Sequence, residues 1–180
     1  MAEIREIAQL GAKVLRQIAV AVDEVDNIET RHIIADMHAT LAATQGVGLA
    51  APQIGESKRI LIVASRPTER YPSAPLMPPT VMINPSFQPL SAAKEKGWEG
   101  CLSIPGIRAL VPRYRQIAVT YSNEQGEPVS ITLTDFVARV FQHEYDHLDG
   151  KVYLDSVENN VDIMAETEYL KLSAAVPAEV

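Results

Sequence analysis

The sequence has little of what would place it at a membrane, outside the cell or on a nucleic acid. It contains a single cysteine, Cys101, in 180 residues. No internal disulfide can form, so a reducing, cytoplasmic setting is the expectation. No apolar run approaches the roughly 18 residues that a membrane span needs. The N-terminal stretch MAEIREIAQLGAKVLRQIAV lacks the long apolar centre and small-residue cleavage site of a signal peptide. There is no block of basic residues, and the net charge is −7. Phosphate backbones reward the opposite sign, so no direct nucleic-acid binding is expected. Internal repeats and low-complexity tracts are also absent.

What is present is ordinary globular composition, 47% apolar and 22% charged, in a chain of one-domain length. A single catalytic domain over residues 1–180 is expected, with a flexible tail from about residue 173. The segment Asn27–Gly46 reads as a helix, because Ile33, Met37 and Leu41 recur every four residues and Gly46 can stop it. Lys58–Ala64 and Thr80–Asn84 read as strands. QIAVTYS and VSITLT, joined by NEQGEP, read as an antiparallel pair. Arg66–Pro79 holds five of the twelve prolines and reads as a surface loop. Residues 134–150 read as a helix that Thr134 or Asp135 can cap and Gly150 can end. A last helix is expected near Val157–Leu172, packed through Val161, Met164 and Tyr169. Strands in the middle with helices on either side predict an α+β domain. Its sheets are mostly antiparallel, around a central helix, with an N-terminal and a C-terminal helix.

The central helix carries the chemistry. In QHEYDHLDG, Gln142 to Gly150, His143 and His147 lie four apart and share a helix face, and Glu144 is one step around. Two imidazoles can hold a metal ion, and a neighbouring carboxylate can act on water beside it. Two ligands do not complete a site. A metzincin would place a third histidine where this chain has Tyr153. A thermolysin-like peptidase would use a later glutamate, and Glu158, Glu166 and Glu168 are available. His32 and His38, six apart, do not share a face and read as surface or interface residues. Cys101, in GWEGCLSIPG, offers a thiolate that would make a two-histidine, one-cysteine tetrahedral site with an open fourth position. Its glycine and proline neighbours suit an irregular strand end.

QGVGLAAPQIG, Gln45 to Gly55, contains G-x-G-x-x-A. A dinucleotide loop should follow a strand and open a helix. This one follows a helix, and Pro52 interrupts what comes after. Its small residues make a wall that another backbone can approach, and Gln53 adds an amide suited to a developing oxyanion.

Taken together and in order, GVGLAAPQ, EGCLS and QHEYDH resemble the three signature motifs of the peptide deformylases, over most of the chain to about Asp155. The resemblance implies a hydrolase that removes the formyl group from N-formyl-methionine of newly made polypeptides. It implies Cys101, His143 and His147 as ligands of one divalent metal, with iron(II) native and zinc, nickel or cobalt as substitutes. Glu144 becomes the general acid/base, and Gln53 with the Leu102 N–H the oxyanion donors. Gly48 falls in the segment that pairs with the substrate peptide. Val47, Glu99, Phe136, Arg139, Val140 and His143 fall on the methionine pocket, and Arg108 beside the substrate entrance. Many bacterial relatives end in a basic helix that meets the ribosome. Here, residues 156–180 carry five acids against Lys171, so any ribosome contact is expected to use another surface.

Overall fold

The computed structural model describes residues 2–67 and 73–175. Helix α1 spans Ile28–Ala42, and the Asn27 side chain accepts from the Thr30 N–H at its start. Strand β1, Gly48–Ala50, follows, then a short 3-10 turn at Ala51–Ile54. The remaining strands are β2 (Ile60–Ser65), β3 (Met77–Pro89), β4 (Lys94–Cys101), β5 (Ile104–Tyr114), β6 (Gln116–Ser122) and β7 (Pro128–Thr134). Helix α2 is Asp135–Leu148, and the chain continues through β8 (Ile163–Ala165) into α3 (Glu166–Ala175).

Two antiparallel sheets result. One has the order β1-β2-β3-β6-β7 and the other β4-β5-β8. Strand β2 explains why the first sheet lies between helices. Every residue of its ILIVAS run is buried, as an apolar run without alternation requires. Leu61 and Val63 join Phe141 and Leu148 of α2 in one core cluster. Ile60 and Ile62 join Ile33, Met37 and Leu41 of α1 in another. The second sheet packs Ile104, Ala109 and Val111 of β5 against Val152 and Tyr153, which follow α2.

Phe141 is fully buried and meets Phe87 edge-on at 5.6 Å. Phe141→Ala should cost about 3–5 kcal/mol in urea unfolding of protein with matched metal content. A loss below about 1 kcal/mol would show that this ring is not a core anchor.

Several sequence expectations need correction. The proline-rich segment does not stay a loop to Pro79, because β3 already begins at Met77. Neither Thr134 nor Asp135 caps α2: Thr134 makes no side-chain cap bond, and the Asp135 carboxylate accepts from Arg115 instead. The expected helix from Val157 to Leu172 is split into a 3-10 turn at Asn160–Asp162, strand β8 and helix α3. Strand β5 has backbone groups to satisfy at its edge, and residues 163–165 pair with Ile107–Ala109 there. Val161 is accordingly 77% exposed rather than packed. The expected flexible tail falls mostly beyond Ala175, outside the described residues.

Candidate active site

Helix α2 aims its two histidines at the end of strand β4. His143 and His147 sit edge-to-face at 5.3 Å, as residues one helical turn apart must. Across from them, β4 breaks register between Glu99 and Cys101, and Cys101 pairs with Ile104 where the chain reverses into β5. That reversal brings Cys101 Sγ to 3.3 Å from His147 Nε2. The donor atoms of Cys101, His143 and His147 all lie within 4.8 Å of one another. Tetrahedral ligation with bonds of about 2.0–2.3 Å separates donors by roughly 3.3–3.6 Å, so this set fits a single metal ion. The charge of the site agrees. Burial pushes the His143 pKa down, yet Cys101, Glu99 and Glu144 drive it well above the usual imidazole value. The same surroundings favour a cation.

Buried ion pairs hold the histidine in place. Glu99 Oε2 lies 2.9 Å from His143 Nδ1, which leaves Nε2 for a metal, the arrangement in which an outer partner fixes a ligand's tautomer. Burial raises the Glu99 pKa, but Arg113 and His143 outweigh it and bring it to about 2. Arg113 holds Glu99 through Nε at 2.9 Å and Nη2 at 3.1 Å, and reaches Asp146 at 2.7 Å. Arg139 adds a bond to Glu99 at 3.0 Å. Tyr153, in the position of the missing metzincin histidine, instead stacks on His143 at 5.7 Å and donates to the Ile107 carbonyl.

Glu144 is buried, and its Oε2 has no hydrogen-bond partner among the described residues. Burial is the main cause that raises its pKa to about 7. A Cβ at Gly48 would stand 2.4 Å from Glu144 Oε1, so glycine at 48 makes room for this carboxylate. Gln53 is held by both ends of its amide. Oε1 accepts from the Ala50 N–H at 2.8 Å. Nε2 donates to Ser103 Oγ at 3.2 Å and lies 3.5 Å from Cys101 Sγ. The N-terminal segment ties these loops together: the Ala8 N–H donates to the Gln53 carbonyl and the Leu10 N–H to that of Ser103.

The site residues read from the sequence all line one cleft, except His147, which is fully buried beside it. Two of them differ from a simple apolar pocket wall. Glu99 is 4% exposed and Arg139 bonds the carbonyls of Glu95 and Val111 as well as Glu99, so both also organise the site's framework. Arg113, Asp146, Ser103 and Tyr153 were not found by sequence reasoning. Arg113, Ser103 and Tyr153 meet the site only through the β4–β5 pairing and the chain after α2, and Asp146, although inside α2, joins the network only through Arg113. Of the glutamates that could have made a thermolysin-like site, Glu158 pairs with Lys96, Glu166 with Arg108 and Glu168 with Lys171. None joins the two histidines. His32 is exposed and His38 half-buried.

A buried carboxylate beside two imidazoles and a thiol, opening on a cleft, defines a metal-dependent hydrolase built on an H-E-x-x-H helix. The family model for polypeptide deformylase matches residues 4–162. The chain is 51% identical over 170 residues to peptide deformylase 2 of Nostoc sp., covering 94% of this chain and 95% of that one. It is 45% identical over 156 residues to peptide deformylase 1 of Xanthomonas campestris, covering 87% and 91%. Among solved structures, the Met-Ala-Ser-bound class I type b peptide deformylase of Acinetobacter baumannii matches with a TM-score of 0.84 and 41% identity, over 87% of this chain and 100% of that one. The actinonin complex of the Synechococcus elongatus enzyme matches at 0.78 and 34%, over 98% and 90%. The chain belongs to the peptide deformylase family. It is an enzyme that removes the N-formyl group of newly made polypeptides, and the thermolysin-like reading is not favoured. No helix among the described residues is long and apolar enough to cross a membrane.

Proposed function

We propose that Cys101, His143 and His147 hold one divalent cation, that Glu144 moves the proton, and that the cleft seats an N-formyl-methionine peptide. The observation that carries this is the convergence of the three donors within 4.8 Å, beside a buried carboxylate oxygen without a partner. Bound there, the cation would supply Lewis acidity and acidified water. One thiolate with two imidazoles suits several divalent metals. Iron(II) is the proposed native ion on the strength of the family resemblance, with zinc, nickel and cobalt as working substitutes.

The protein's own residues account for the rest. Glu144 takes a proton from water as it attacks the formyl carbon, and returns it to the departing amine. Its pKa near 7 suits both tasks at neutral pH. As charge grows on the formyl oxygen, the Gln53 amide and the Leu102 N–H receive it. The Gln53 amide is already oriented by Ala50 and Ser103. Each such donor contributes about 2.7–4 kcal/mol at the transition state. The products are formate and a free amino terminus.

Strand β1 is the edge of its sheet, which supports pairing of an extended peptide along Gly48. Val47, Phe136 and Val140 offer an apolar slot for methionine, framed by Glu99, Arg139 and His143, with Arg108 at the entrance. The acidic C-terminal segment argues against ribosome docking through a basic tail, and the reaction is assigned to the cytoplasm with no direct nucleic-acid contact.

The test is formate release from formyl-Met peptides, with metal analysis on the same sample. Formyl-Met-Ala-Ala should be cleaved at least ~10²-fold faster than acetyl-Met-Ala-Ala, the scale expected when a confined site must take one extra methyl group. Equal rates would overturn the reading that the cleft confines the formyl group.

A further inference from the structure

We propose that Glu166 determines which residues this enzyme accepts after the formylated methionine. It does so by occupying Arg108 and presenting its own carboxylate to the cleft, so that acidic side chains are refused and basic ones taken. The proposal rests on the deformylase reading of the site and extends it to the peptide beyond the first residue.

Arg108 lies on β5, and its guanidinium sits over Gly100, where a Cβ would stand 2.6 Å from Cζ. It is therefore one residue away from Cys101 along β4. Left alone, a guanidinium at that place would attract carboxylates from the substrate. In this protein Arg108 Nε and Nη2 both reach Glu166 Oε1, at 3.2 and 2.9 Å. The Tyr169 ring covers Cζ at 5.4 Å, and Trp98 packs on Tyr169 at 5.4 Å. The register explains the reach: Arg108 pairs with Met164 across β5 and β8, and Glu166 follows two residues later at the start of α3. Arg108 and Glu166 both line the cleft, with Gly106 and Ile107.

Exposure decides which charge a peptide meets. The Arg108 side chain is 3% exposed and that of Glu166 is 23% exposed. Glu166 is thus the more exposed member of the pair, and the one that a peptide in the cleft can reach more readily. An extended peptide advances about 3.4 Å per residue, so the side chains following methionine pass within range of a charge lodged beside Gly100. The family model's match stops at Asp162, four residues before Glu166.

The experiment uses the metal-loaded full chain and C-terminally amidated formyl-Met peptides with lysine or aspartate at the second or at the third position. For at least one position, the unmodified enzyme should have a kcat/KM that favours lysine, and added salt should shrink the preference. Glu166→Gln should lower that lysine-to-aspartate ratio by about 5-fold or more, the scale of a partly screened charge pair. A ratio taken within one preparation is independent of metal content and folded fraction. The proposal is overturned if the unmodified enzyme favours aspartate or shows no charge preference, which decides the matter even if the variant does not fold. It is equally overturned if Glu166→Gln leaves the ratio unchanged. Absence of formate from formyl-Met-Ala-Ala amide would instead refute the deformylase reading beneath it.

Discussion

Cys101→Ala should lose both its metal and its activity. Two imidazoles on one helical turn remain, but they leave an incomplete site. The substitution removes only one sulfur from a half-buried position at a strand end, so the fold is expected to survive. Deformylation should fall by at least about 10³-fold, corresponding to the several kcal/mol that a bound cation contributes to charge stabilisation. Elemental analysis, circular dichroism and formate assays on one sample check the three parts. A folded variant that keeps stoichiometric metal and turnover would remove Cys101 from the site and reopen the search for a third ligand.

Glu144→Gln should separate what Cys101→Ala removes together. The amide has nearly the shape of the carboxylate, and the space beside Gly48 that accepts Oε1 accepts it as well. Neither oxygen of Glu144 is among the grouped donors, so metal content should stay at one equivalent. An amide cannot take the proton of the attacking water, so turnover should fall by at least ~10²-fold. Metal loss in this variant would mean that Glu144 is a ligand. Near-normal turnover would mean that the proton goes elsewhere.

The main lines of both the fold and the site could be read from the chain, though unevenly. Helix α1 was visible through Ile33, Met37 and Leu41, which all proved buried, and β2 through its unbroken apolar run. The H-E-x-x-H helix was visible because its period of four residues is also the geometry of its site. Gly150 ends it with a positive φ of 70°, and a Cβ there would press against the Arg16 backbone at 3.0 Å. Of β4 only the irregular end at Cys101 was read, and strands β1, β5 and β8 were not legible. They are short, or interrupted by glycine and proline, and their pairing rather than their composition makes them strands.

The sequence by itself marked the proposed reacting groups: two histidines and a glutamate at helical spacing, a lone cysteine among glycines, and an amide in a small-residue loop. Each of these depends on local geometry or on residue type, which the chain carries directly. Spacing alone left a later glutamate open and the motif resemblance implied Cys101; the tertiary structure brings Cys101 to the histidines, because that meeting depends on the β4–β5 reversal. Only the tertiary structure tied Glu99 to Arg113, Arg139 and His143, and drew residues 163–165 out of an expected helix to bring Glu166 onto Arg108. These contacts join residues far apart in the chain. Unsatisfied backbone groups at a strand edge and buried charges in need of partners select them, and neither need exists until the sheets have formed.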